Sequence, residues 1–106
     1  MSKADVRACV GKGWVELVDA CFDACLATGT HIDQVKEKFG GLRFYVGYVG
    51  SRSRWVQHII ATAEAASYET CEVCGKPGKM RPGGWITTLC DLHAIAIGKR
   101  KGRNVD

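Results

Sequence analysis

The sequence predicts an α+β fold, in which a β-hairpin or small antiparallel sheet is packed by two or three helices and followed by a C-terminal module built around metal-ligating side chains. Three observations carry this expectation. Apolar residues recur at spacings of three and four through residues 13–27. The period then changes to alternation on either side of a Gly40-Gly41 pair. Residues 71–93 hold cysteines and a histidine in the spacing Cys-x2-Cys-x15-Cys-x2-His. At 106 residues the chain is one domain with one modest core, divided into a body over 1–70, a metal module over 71–98 and a basic tail over 99–106.

The first helix starts at Ser2, whose hydroxyl can cap it with Asp5 three residues on, and it ends by Gly11. The second carries Trp14, Leu17, Val18, Cys21, Cys25 and Leu26 on one stripe and Glu16, Asp19 and Asp23 on the other side. Gly29 suits the left-handed position that stops it. In the hairpin, a two-residue turn at Gly40-Gly41 pairs Phe39 with Leu42, Lys38 with Arg43, Glu37 with Phe44, Lys36 with Tyr45 and Val35 with Val46. One face then turns Val35, Phe39, Leu42, Phe44 and Val46 inward, with Glu37 the odd member; the other presents Lys36, Lys38, Arg43 and Tyr45. Ser51 or Ser53 can cap a third helix running to about Tyr68, with Trp55, Ile59, Thr62, Ala63 and Ala66 inward.

The metal motif is Cys71, Cys74, Cys90 and His93. A Cys-x2-Cys pair lets two sulfurs converge on one ion from a tight turn, which Gly75 eases. Cys90 and His93 open an apolar helical segment, and residues three apart in a first turn share a face. A knuckle, a hairpin around Arg81-Pro-Gly-Gly84 and a helix holding the second ligand pair resemble a treble-clef zinc finger. Four protein ligands close the coordination sphere of one zinc ion, leaving no site for an activated water, so the expected metal is structural. Cys21 and Cys25, with Cys9, have the spacing for a second site, but they lie in the apolar stripe, where free cysteine packs as a small hydrophobe. No nucleophile–histidine–acid set assembles around His31 or His58, and no enzymatic activity is expected.

The chain has no apolar run long enough to span a membrane and no secretory leader pattern, which leads to the expectation of a cytoplasmic protein with reduced thiols. The formal charge is +4, but residues 99–106 hold four of the fifteen positive and one of the eleven negative charges, leaving the rest near +1. Any electrostatic steering must therefore come from patches.

The run Val35-Lys-Glu-Lys-Phe-Gly-Gly-Leu-Arg-Phe-Tyr-Val46, together with Gly13-Trp14, Ala63-Glu64, Ser67, Thr70-Cys-Glu-Val-Cys-Gly-Lys-Pro-Gly78, Gly84-Trp85 and Thr88-Leu-Cys-Asp-Leu-His93, resembles a family of small phage and prophage proteins. The resemblance covers residues 13–94 and implies a phage-encoded protein acting in a bacterial cytoplasm, without naming a partner. The treble clef also occurs in HNH nucleases, whose catalytic histidine pair has no counterpart in Lys79–Leu89, a segment without histidine or carboxylate.

Two functions from different classes follow. The first is binding to nucleic acid or a nucleoprotein complex, through Lys36, Lys38, Arg43, Tyr45, Arg52 and Arg54 and the tail residues Lys99, Arg100, Lys101 and Arg103, with Tyr45 or Trp85 stacking on a base. The second is docking on a host or defence protein, in the manner of anti-CRISPR or host-takeover factors, favoured by the contrast between the acidic helix face and the basic hairpin face. The ordinary alternative to both is a solvated hairpin and a solubilising tail.

Overall fold

A computed structural model of the chain describes residues 1–47 and 53–98. Its elements are α1 (Lys3–Ala8), a short 3-10 turn (Lys12–Trp14), α2 (Val15–Thr28), β1 (Ile32–Lys38), β2 (Gly41–Val46), α3 (Ser53–Ser67), β3 (Lys79–Arg81), β4 (Thr87–Leu89) and α4 (Asp91–Ile97). Two antiparallel hairpins, β1-β2 and β3-β4, form separate two-stranded sheets, so the α+β class is as the sequence predicts. None of the described helices is long and apolar enough to cross a membrane.

Helix α1 is short but doubly capped. The Asp5 amide donates to the Ser2 hydroxyl at 3.1 Å, and the Ser2 amide donates to the Asp5 carboxylate at 3.0 Å. It lies across α2, where Arg7 donates two bonds to Asp19 at 2.8 and 2.6 Å and Lys3 reaches Asp23 at 2.9 Å. Two of the three acidic residues on α2 are therefore already paired with α1, and the charge contrast that favoured docking is smaller than the sequence implies. Helix α2 ends at Gly29 with φ 71°, as expected. Its buried residues are Val18, Cys21, Ala24 and Cys25, while Leu26 is exposed.

The hairpin forms where expected but turns one residue earlier. Phe39 (φ 54°) and Gly40 (φ 82°) are the two left-handed residues of the turn, and the register is Lys38↔Gly41, Glu37↔Leu42, Lys36↔Arg43, Val35↔Phe44 and Gln34↔Tyr45. The reason is tertiary. A Cβ on Gly41 would sit 2.3 Å from the Tyr68 ring, so Gly41 is held in the strand by the ring packed on it. Moving the turn by one residue moves each cross-strand partner by two, which preserves the faces. Val35, Leu42 and Phe44 are still buried, but Phe39 is exposed rather than inward. Glu37 bends to accept the Gly40 amide at 2.7 Å, which explains an acid on the inner face.

Helix α3 covers the outer edge of β2. The Leu42 amide donates to the Ser67 hydroxyl at 2.8 Å and the Phe44 amide to the Glu64 carboxylate at 2.9 Å, so edge donors find partners on the helix. This turns Val56, Ile60, Ala63 and Ser67 inward and leaves Trp55 exposed, one position away from the expected stripe. The main core joins α1, α2, α3 and the first hairpin; a second, much smaller core of Cys71, Leu89 and Ala94 sits in the C-terminal module.

Candidate metal centre

The C-terminal module is built from a knuckle, a hairpin and a helix, in that order. The knuckle is closed by the bridge between Thr70 and Pro77, by the Cys71 amide donating to the Lys76 carbonyl at 2.8 Å, and by the Gly78 amide donating to the Glu69 carbonyl at 2.9 Å. Gly75 turns the chain at φ 83° while its amide donates to the Cys71 carbonyl at 2.9 Å. Cys90 is the N-cap of α4 and His93 lies in its first turn, so the second pair shares one face as the spacing predicts.

These elements bring Cys71, Cys74, Cys90 and His93 together, with all four ligand atoms within 4.8 Å of one another. The Cys74 and Cys90 sulfurs are 3.8 Å apart, and His93 Nδ1 lies 3.7 Å from Cys71 Sγ and 3.3 Å from Cys90 Sγ. A tetrahedral ion with sulfur bonds of about 2.3 Å and a nitrogen bond of about 2.0 Å requires separations of about 3.8 Å between sulfurs and about 3.5 Å between sulfur and nitrogen. The three observed separations match that geometry, the remaining ones lie within 4.8 Å, and three thiolates with one imidazole suit a borderline-soft divalent ion. Among the described residues, no other group of three or more histidine, cysteine or acidic side chains gathers in this way.

The thiols of the cluster act on one another. Burial acts to raise the Cys71 thiol, but the backbone amides of Cys90, Cys74 and Val73 and the Cys74 side chain outweigh it and bring Cys71 down to about 6. Cys74 moves the other way: the Lys76 amide lowers it, yet desolvation, the Cys71 and Cys90 thiols and the Cys71 charge together raise it. A set of thiols in which ionising one opposes ionising the next is relieved by a shared cation.

The module is held to the body by a backbone hydrogen bond and by the buried side chains of Trp14 and Thr88, and is braced internally by Arg81. The Gly13 amide donates to the Glu72 carbonyl at 2.8 Å, and the Trp14 indole donates to the Thr70 carbonyl at 2.8 Å. Thr88, buried, donates its hydroxyl to the Gly40 carbonyl at 2.6 Å, tying β4 to the first hairpin. Arg81 is buried; its Nε and Nη2 donate to the Leu89 carbonyl at 3.1 and 2.9 Å, and Nη2 also meets Asp91 at 2.8 Å. This arginine fixes the exit of β4 to the start of α4 and so positions Cys90. The sequence places it only in a turn, because nothing local marks an arginine as buried.

Cys21 and Cys25 lie in the main core rather than at a metal site. Burial, the neighbouring Cys25 and Glu64 push the Cys21 thiol up to about 12, and burial also raises Cys25. Both behave as apolar packing.

Lys36, Lys38, Arg43 and Tyr45 share one face of the first hairpin, with Lys36 directly opposite Arg43. Arg43 is partly committed: it donates to the Tyr68 hydroxyl at 2.8 Å, and its guanidinium lies 6.0 Å from that ring's centre. Tyr45 and Lys38 are exposed, as is Arg54 near the start of α3. Ser51, Arg52, Lys99, Arg100, Lys101 and Arg103 lie outside the described residues.

No protein-family model, curated protein or solved structure matches this chain.

Proposed function

We propose that this protein is a non-catalytic module, stabilised by one structural zinc ion, that binds nucleic acid or a nucleoprotein complex. The observation that carries the reading is the alignment of Lys36, Lys38 and Arg43 with exposed Tyr45 on one hairpin face, opposite the side that packs on the core. Cations at strand spacing can follow a phosphate backbone while an exposed ring stacks on a base. Zinc enters because three sulfurs and one imidazole nitrogen gather within 4.8 Å of one another, with the Cys74–Cys90, Cys71–His93 and Cys90–His93 separations near those of a tetrahedral site. In keeping with the resemblance to phage proteins, the reading takes the setting to be a bacterial host cytoplasm.

The test is equilibrium binding of short DNA and RNA across a salt series. Affinity is expected to fall steeply with salt, and Lys36→Gln with Lys38→Gln, or removal of residues 99–106, is expected to flatten the slope by about 0.7–0.9 for each phosphate no longer neutralised. Salt-insensitive binding, or none at low salt, contradicts the reading.

A second reading, docking on a host or defence protein, is favoured by the outer side of α4, where Leu92 and Ile95 are both more than half exposed. Affinity purification from nuclease-treated host lysate separates the two: a stoichiometric protein that survives the nuclease supports docking, and loss of every partner supports nucleic acid.

A further inference from the structure

The first hairpin meets the metal module at its tip. The Gly40 carbonyl accepts from Thr88, and a Cβ on Gly40 would lie 3.2 Å from the Ile86 side chain, so the two turns are packed together. Between them opens a cleft of about 310 Å³ lined by Glu37, Lys38, Phe39, Gly84, Trp85 and Ile86. Its two large rings are both displayed: Phe39 is 63% exposed and Trp85 73% exposed.

Phe39 is the more informative of the two. It holds φ 54°, a left-handed conformation that a bulky L-residue adopts at a cost and that asparagine or glycine adopts readily. Its ring gains little burial to offset that cost. A strained, exposed aromatic at a turn marks a position kept for contact with something else. Trp85 stands on a loop shaped by Gly83 and Gly84, both at positive φ. The Lys38 ammonium lies 5.6 Å from the centre of the Phe39 ring, at the same cleft, and Lys36 continues the same strand face.

The geometry points to this cleft as the binding site for an unpaired base of a single-stranded nucleic acid, stacked against Phe39 and Trp85, with Lys38 and Lys36 taking the flanking phosphates. This rests on the nucleic-acid reading above and narrows it to single strands. Apolar rings accept the face of any base; Lys38 at the cleft and Lys36 further along the strand face suit a polyanion, and the one carboxylate of the lining, Glu37, is engaged by the Gly40 amide. A duplex keeps its base faces stacked and has none to offer.

The experiment uses the full metal-loaded chain with a labelled oligothymidine and a matched duplex, measured by fluorescence anisotropy across a salt series. The single strand is expected to bind more tightly than the duplex. Phe39→Asn and Trp85→Ser are each expected to weaken single-strand binding about tenfold without changing the salt slope. Lys38→Gln should instead lower that slope by about 0.7. Phe39→Asn places the favoured Asn-Gly pair in the turn, so it should also melt several degrees higher, and weaker binding by a more stable protein excludes misfolding as the cause. If both aromatic variants bind the single strand as the parent does, the cleft belongs to some other occupant, such as an apolar side chain of a protein, and the assignment is overturned. A salt-dependent binding that survives in that case leaves the broader nucleic-acid reading standing, whereas no binding of either strand removes both. Equal competition by free thymidine monophosphate would assign the cleft to a mononucleotide and likewise overturn the strand reading.

Discussion

Stripping the metal with a strong chelator, or replacing Cys90 by serine, is expected to unfold the C-terminal module while leaving much of the helical body intact. The module has almost no core of its own: Cys71, Leu89 and Ala94 are its buried apolar residues, and one of these is itself a member of the cysteine–histidine cluster. Its strands are three residues each and α4 is seven, lengths that do not persist in water without tertiary support. A structural zinc ion contributes on the order of 10 kcal/mol of binding free energy coupled to folding, comparable to the whole stability of a small domain. The body, in contrast, keeps its own core of α1, α2, α3 and the first hairpin. Circular dichroism before and after chelation should therefore show partial loss of helix and a lower, broader melt. An unchanged melt in chelator and in Cys90→Ser would mean that the four side chains meet without holding anything.

The second large effect is expected at Gly13. A Cβ there would lie 1.9 Å from the Cys71 carbonyl oxygen and 2.6 Å from the Gly75 amide nitrogen, both backbone atoms of the knuckle. Neither can swing aside as a side chain would, so Gly13→Ala must push the knuckle from the N-terminal body and break the bond from the Gly13 amide to the Glu72 carbonyl. Overpacking against backbone together with the lost hydrogen bond of this half-buried residue costs about 3–4 kcal/mol. Gly29→Ala is the control, since its Cβ would meet nothing and only the left-handed backbone at φ 71° opposes it, at about 1 kcal/mol. Chemical denaturation of the two variants should separate them by about 2 kcal/mol or more. Gly13→Ala should also weaken metal retention, because it displaces Cys71; equal stabilities would show that the knuckle does not bear on Gly13.

What the sequence made legible was whatever is encoded locally. The clustering of Cys71, Cys74, Cys90 and His93 was readable because each pair is held within one turn of chain, by Gly75 in the knuckle and by the first turn of α4. The cap at Ser2 and the stop at Gly29 are local in the same sense. The errors all lie where a distant residue decides. Gly40 and Gly41 satisfy turn chemistry equally well, and only the Tyr68 ring, some 27 residues on, determines that Gly41 belongs to the strand. In α3, Trp55 with Ile59 and Val56 with Ile60 have the same spacing, and nothing within an alanine-rich helix separates them. The need of β2 for edge partners does, because it turns Glu64 and Ser67 toward the strand and Val56 inward with them. Arg81 was not legible at all, since its burial depends on a carbonyl and a carboxylate that β4 and α4 bring to it.

Native mass spectrometry of freshly purified protein counts what the cluster holds. One zinc ion per chain is expected, lost on acidification or chelation and absent from Cys71→Ser and Cys90→Ser. A metal-free mass for the freshly purified parent chain, with a melt that chelator does not shift, would overturn the metal centre and the fold built on it.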